Sequence, residues 1–182
     1  VEMVALNTSS MFWRDLELVE TITGFAQVNE LQEQTLRQWE NEARLPWRIA
    51  FGHHPYLSNG QHGNAGQYDN VVIDGLIGSG SGLKDFFEEY VLGRFDIFIA
   101  GHDHNLQDLG NVDGTELVVS GSGATRRDLY DRNLVQWDSD QLGFAVFELT
   151  PDFCTIRFIE VPENEDAARP WIEAHTREFR RP

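Results

Sequence analysis

Cysteine is almost absent. Cys154 is the only one among 182 residues, so no internal disulfide can form and no thiolate cluster can hold zinc or iron–sulfur. A metal would have to be held by His, Asp, Asn or Tyr. Basic residues are also scarce: 14 Lys and Arg face 30 Asp and Glu, for a formal charge of -16. Most of that exterior repels a polyanionic duplex or an anionic bilayer, so neither nucleic acid nor a membrane is expected as a partner. Bound cations could offset the charge at one site and still admit a small anion there. No run of eighteen or more apolar residues occurs, and Val1-Glu2-Met3-Val4 lacks the basic region, apolar stretch and cleavage site of a signal peptide. The start at Val1 reads as a cut end, with residues 1 to 6 a strand already under way.

What is present suffices for one globular domain: 41% of the residues are hydrophobic, enough for a sizeable core. No internal repeat is visible. Val28, Leu31, Leu36, Trp39 and Ala43 share one side of a helical wheel, which predicts an amphipathic helix over residues 29 to 43, stopped by Pro46. Arg48-Ile49-Ala50-Phe51, closed by Gly52, reads as a buried strand. After a loop rich in Gly, Asn and Ser, Leu83, Phe86, Phe87, Tyr90 and Val91 form a helical stripe that Gly93 ends. Residues 95 to 100 are a second apolar run, closed by Gly101. Strand, helix, strand is the crossover unit of a parallel α/β sheet. Beyond it the pattern turns antiparallel, with a turn at Asn111-Val112-Asp113-Gly114 and alternating runs at 143–149 and 155–161 about Pro151-Asp152. Residues 162 to 182 mix both charge signs and read as a surface tail with a short helix at most, His175 included.

Both apolar strands run into Gly-His. Gly52-His53-His54-Pro55 and Gly101-His102-Asp103-His104-Asn105 therefore lie at strand carboxyl ends, the edge of an open α/β sheet where ligands bind. In an extended segment His102 and His104 would point to one site and Asp103 away from it. Neutral imidazole is a good ligand for zinc, iron and manganese ions. A lone strand-end histidine is ordinarily structural, but two such clusters on successive strands point to a metal site built from His53, His102 and His104. His54 stays open between a residue that orients a ligand or substrate and a packed loop residue. Asp103 reads as a local hydrogen-bonding group.

The two segments, Gly52-His53-His54-Pro55-Tyr56-Leu57-Ser58-Asn59-Gly60-Gln61-His62-Gly63 and Gly101-His102-Asp103-His104-Asn105-Leu106-Gln107, resemble the C-terminal motifs of calcineurin-like metallophosphoesterases, in particular the tartrate-resistant purple acid phosphatases. The resemblance extends over nearly the whole chain. It implies the C-terminal half of a metallophosphoesterase α/β sandwich over residues 1 to 161. His53 and His102 would bind one metal and His104 a second. His62, nine residues after His53, would protonate the leaving group; from the residues alone it reads as a loop histidine. His54 and Asn105 would support ligands or touch substrate. The implied ions are iron paired with iron, zinc or manganese, and the implied location is secreted or periplasmic. The family's Asp-x-Gly, Gly-Asp-x-x-Tyr and Gly-Asn-His segments do not occur in this chain. A missing N-terminal half of the same domain would supply them, and the chain alone is expected to be inactive, since three histidines cannot hold two ions at the ~3.5–4 Å such chemistry needs.

The implied activity is hydrolysis of a small phosphomonoester. The alternatives are a phosphodiesterase or nucleotidase on the same fold, or a noncatalytic scaffold that has lost the site. Other motifs are weak. Gly78-Ser79-Gly80-Ser81-Gly82 lacks the Lys-Ser/Thr of a phosphate-binding loop, and Ser120-Gly121-Ser122-Gly123 is not a nucleophile elbow. Arg126 and Arg127 could hold a substrate's anionic tail, but read first as a solvated pair.

Overall fold

Alternate residues along three strands face opposite ways, and both sides are covered. In β5 (Ile97–Ala100), Phe98 and Ala100 join one apolar cluster, while Ile97 belongs to a second. β2 (Arg48–Gly52) divides Ala50 from Ile49 in the same manner, and β7 (Thr115–Ser120) divides Leu117 and Val119 from Val118. A strand buried on both faces reads as a continuous apolar run, which is why Ile97–Ala100 carries no polar residue. The computed structural model describes residues 1–14, 16–68, 71–73, 76–162 and 170–181.

The main sheet has six strands. With β1 (Glu2–Ala5), β6 (Leu106–Val112) and β8 (Trp137–Ser139), the order is β1-β2-β5-β7-β6-β8. β1, β2, β5 and β7 are parallel, and β6 and β8 are antiparallel additions. On one face lie α1 (Thr8–Met11), α3 (Phe25–Glu40) and α4 (Ser81–Tyr90), whose Leu83, Phe86 and Phe87 are fully buried. The other face is covered by an antiparallel sheet, β9 (Gly143–Leu149), β10 (Phe153–Glu160) and β11 (Ile172–Arg180), in the order β11-β10-β9. α2 (Glu17–Thr23) precedes α3, and β3 (Val71–Ile73) pairs with β4 (Leu76–Gly78). The α/β class, with parallel strands followed by antiparallel ones, is thus the observed architecture.

Two expectations are corrected. Of residues 162 to 182, those from 172 to 180 are not a surface tail but strand β11, paired along its length with β10; residues 163 to 169 lie outside the described residues. The charges that suggested solvent are partly turned inward. Arg177 makes two bonds of 2.7 Å to the fully buried Asp108 and a third to Glu116, and His175 Nε2 lies 3.2 Å from Asp108 with its ring stacked on Trp137. The helix predicted at 29–43 runs from 25 to 40, and its buried face is centred on Asn29 and Leu36. Val28 and Leu31 are exposed.

Candidate metal centre

The carboxyl ends of β2 and β5 are adjacent, so the loops that leave them bring the two histidine clusters together. Gly101 donates its N–H to the His53 carbonyl at 3.1 Å, fastening one loop to the other. His102 Nδ1 lies 2.9 Å from His53 Nε2. The His102 ring centroid is 4.8 Å from that of His53, 4.6 Å from that of His54 and 4.3 Å from that of His62. Ring nitrogens of His53, His54 and His102 all fall within 4.8 Å of one another.

The 102–104 segment converges for a different reason from the one the sequence suggested. It is not extended: Asp103 N–H donates to the Gly101 carbonyl at 2.8 Å and Asn105 N–H to that of Asp103 at 2.9 Å. His102 itself takes a left-handed backbone, φ 65°, which is unfavourable for a non-glycine residue and recurs at functional sites. The turn fits because Gly121 passes alongside; a Cβ there would stand 2.0 Å from the Asp103 carbonyl oxygen. His104 Nδ1 is 2.8 Å from the Thr125 hydroxyl, and its carbonyl accepts from Arg127 N–H.

Burial and crowding keep these rings neutral. His53 is lowered by burial first, then by the like charge that His104 and His62 would carry. Burial, then His102, His53 and His62, bring His54 to about 3. Burial, then His62 and His53, bring His102 to about 4. Neutral imidazole is the ligating form. Two nitrogens bound to one tetrahedral ion at ~2.0–2.1 Å stand about 3.3 Å apart, so the 2.9 Å between His53 and His102 needs to open by only a few tenths of an ångström. The donor set therefore fits a borderline transition metal such as zinc.

His62 is reached through Asp103. The buried Asp103 carboxylate accepts the His62 backbone N–H at 3.0 Å and the Ser58 hydroxyl at 2.5 Å. Asn105 is enclosed, with Oδ1 accepting from Gln107 at 2.7 Å, so its supporting role is open but direct contact with substrate is not. Sequence reasoning missed Thr8, Phe12, Trp13 and Tyr68. Thr8 underlies His53 and His54, and the three aromatics border a cleft of about 260 Å³ that His54, His62 and His102 also line. Tyr68 donates to the Pro55 carbonyl, and burial holds its phenol well above the ordinary range. None of the four carries a local motif, so chain topology alone brings them here.

Imidazoles gathered at the tips of parallel strands, over a sheet packed between helices and a second sheet, can hold a metal ion, and the sequence similarities support a calcineurin-like metallophosphoesterase. Its similarity runs to the purple acid phosphatases. Purple acid phosphatase 7 of Arabidopsis thaliana is 28% identical over 130 residues, 68% of this chain and 34% of the relative. Purple acid phosphatase 3 of the same plant is 28% identical over 97 residues, 53% of this chain and 22% of the relative. The chain thus spans about a third or less of the curated relatives it matches. Among solved structures, GAP50, the anchor in the inner membrane complex of Plasmodium, superposes with a TM-score of 0.66 at 18% identity, over 99% of this chain and 49% of that one. PhoD superposes with a TM-score of 0.54 at 12% identity, over 82% and 33%. No protein-family model matches the chain. No helix among the described residues is long and apolar enough to cross a membrane.

Proposed function

We propose that these residues form the histidine half of the active site of a phosphomonoesterase with two metal ions, iron paired with iron, zinc or manganese. The observation that carries the reading is the imidazoles of His54, His62 and His102 lining one cleft, with the His53 ring against His102 and its Nε2 2.9 Å from His102 Nδ1. His53 and His102 would hold one ion and His104 the second. Such ions, when bound, lower the pKa of water and neutralise charge on the phosphoryl group. Carboxylate, Tyr and Asn ligands would come from protein outside these 182 residues.

His62 would stand beside the leaving oxygen and deliver its proton there. Asp103 positions it by holding its backbone, and the alcohol portion of the ester would rest against Phe12 and Trp13. A secreted or periplasmic location is part of the same proposal and rests on the resemblance to purple acid phosphatases.

The test is metal content and turnover of a chromogenic phosphomonoester by the longest natural form of the protein. About two ions per molecule and turnover that His102→Ala lowers by at least a hundredfold are expected. Turnover that survives His102→Ala would sink the proposal.

A further inference from the structure

His54 offers a ring nitrogen within 4.8 Å of the His53 and His102 nitrogens, so by proximity it looks like a third ligand. Counting hydrogens argues otherwise. The Thr8 hydroxyl oxygen accepts the backbone N–H of His53 at 3.1 Å and that of His54 at 3.1 Å. Those two donors occupy both of its lone pairs, and it has one hydrogen left to give. The remaining partner is His54 Nδ1, at 3.0 Å. Nδ1 must accept, so the ring hydrogen is on Nε2. A doubly protonated ring fails the same count, because an Nδ1–H would meet an oxygen with no lone pair to spare.

Thr8 has no freedom to escape the arrangement. It is 1% exposed, it begins α1, and its methyl packs on Gly52, where a Cβ would stand 2.7 Å from Thr8 Cγ2. A nitrogen that bears hydrogen has no lone pair for a cation, but it is a donor. The His54 ring lines the same cleft as His62 and His102, where a phosphate would lie.

We propose that His54 is a substrate-binding residue that donates Nε2–H to a phosphate oxygen, and that it is not a metal ligand. The assignment rests on the phosphoesterase reading above, and it divides the histidines by role: His53 and His102 for the cation, His54 for the anion.

Long-range proton–nitrogen spectra of the longest natural form of the protein, taken without metal, with Zn²⁺, and with Zn²⁺ plus inorganic phosphate, test it. Expected are an Nε2–H tautomer for His54 that persists when Zn²⁺ moves the nitrogens of His53 and His102, and a downfield shift of that hydrogen when phosphate is added. His54→Phe keeps a ring beside Phe12 but has no donor. It should bind the same amount of Zn²⁺ and weaken phosphate binding about tenfold or more, the scale of a charge-assisted hydrogen bond. His54→Gln, which restores an N–H, should recover most of the affinity and guards against a folding artefact in the Phe variant. An Nδ1–H tautomer, loss of the Nε2 hydrogen on adding Zn²⁺, or wild-type phosphate affinity in His54→Phe would each overturn the proposal alone. Failure of the wild-type, Zn-loaded longest natural form to bind phosphate would overturn the proposal together with the phosphoesterase reading.

Discussion

Asp103 shows how much one buried side chain can organise. It is 1% exposed and accepts from Ser58 Oγ and His62 N, and Gly60 lies so near that a Cβ there would stand 2.2 Å from the Asp103 carboxyl carbon. Asp103→Ala leaves two enclosed donors unpaired, and the expected loss is about 1–3 kcal/mol in urea denaturation. A loss below about 0.5 kcal/mol would mean that the 58–62 loop holds itself. Cys154 makes a second case. It is fully enclosed between the two sheets, and burial pushes its thiol up to about 12. The native protein should resist iodoacetamide at pH 8 and react once unfolded, with mass spectrometry as the readout. Because the folded thiol keeps its proton while the unfolded one releases it near 9, stability should fall as pH rises from about 9 towards 12. At this scale the sequence discloses only residues whose local context is unusual. Gly-His at two strand ends is such a context, so His53, His102 and His104 stood out. Thr8 lies 45 residues before its first partner, His53, in a segment without any motif, and nothing local marks it.

Strand β11 is held by charge as well as by its backbone ladder. Arg177 projects from it onto Asp108 and Glu116, carboxylates whose side chains are 0% and 6% exposed. Arg177→Ala would leave both buried without their cation, and the expected destabilisation is about 3–5 kcal/mol by denaturant melts. Asp108→Asn in the Arg177→Ala background should recover part of that loss, since one stranded charge is removed. If Arg177→Ala costs less than about 1 kcal/mol, water rather than Arg177 satisfies those carboxylates. The cluster also explains why β11 was illegible: charged residues at alternate positions read as solvated, and only the opposing Asp108 and Glu116 on another sheet turn them inward. α3 misleads in the opposite way. Asn29 occupies its buried face, bonded to the Ser10 carbonyl and to Glu20, while the apolar Val28 and Leu31 face outward. β2, α4 and β5 were legible because there the buried face and the apolar face coincide.

Across the whole molecule, the parallel unit could be read from two apolar runs and a helical stripe, but the layering could not. Which strand lies beside which is decided by contacts far apart in sequence, such as β7 returning to lie parallel to β5 while β6 folds back antiparallel outside it. The net charge of -16 bears on metal binding at the same scale, because any divalent ion will relieve some self-repulsion without occupying a defined site. Ligand chemistry separates the two effects. Imidazole prefers Zn²⁺, whereas Mg²⁺ prefers carboxylate and water oxygens, so an imidazole site should discriminate between ions of equal charge. Zn²⁺ at one hundred times its dissociation constant adds about 2.7 kcal/mol to stability, or roughly 5–10 °C in melting temperature for a chain of this size. That shift is expected in calorimetry of the wild-type chain, with little from Mg²⁺ at the same concentration, and His102→Ala should abolish the difference between the two ions. Equal shifts from Zn²⁺ and Mg²⁺ would reduce the effect to charge screening and leave the histidine cluster without a metal.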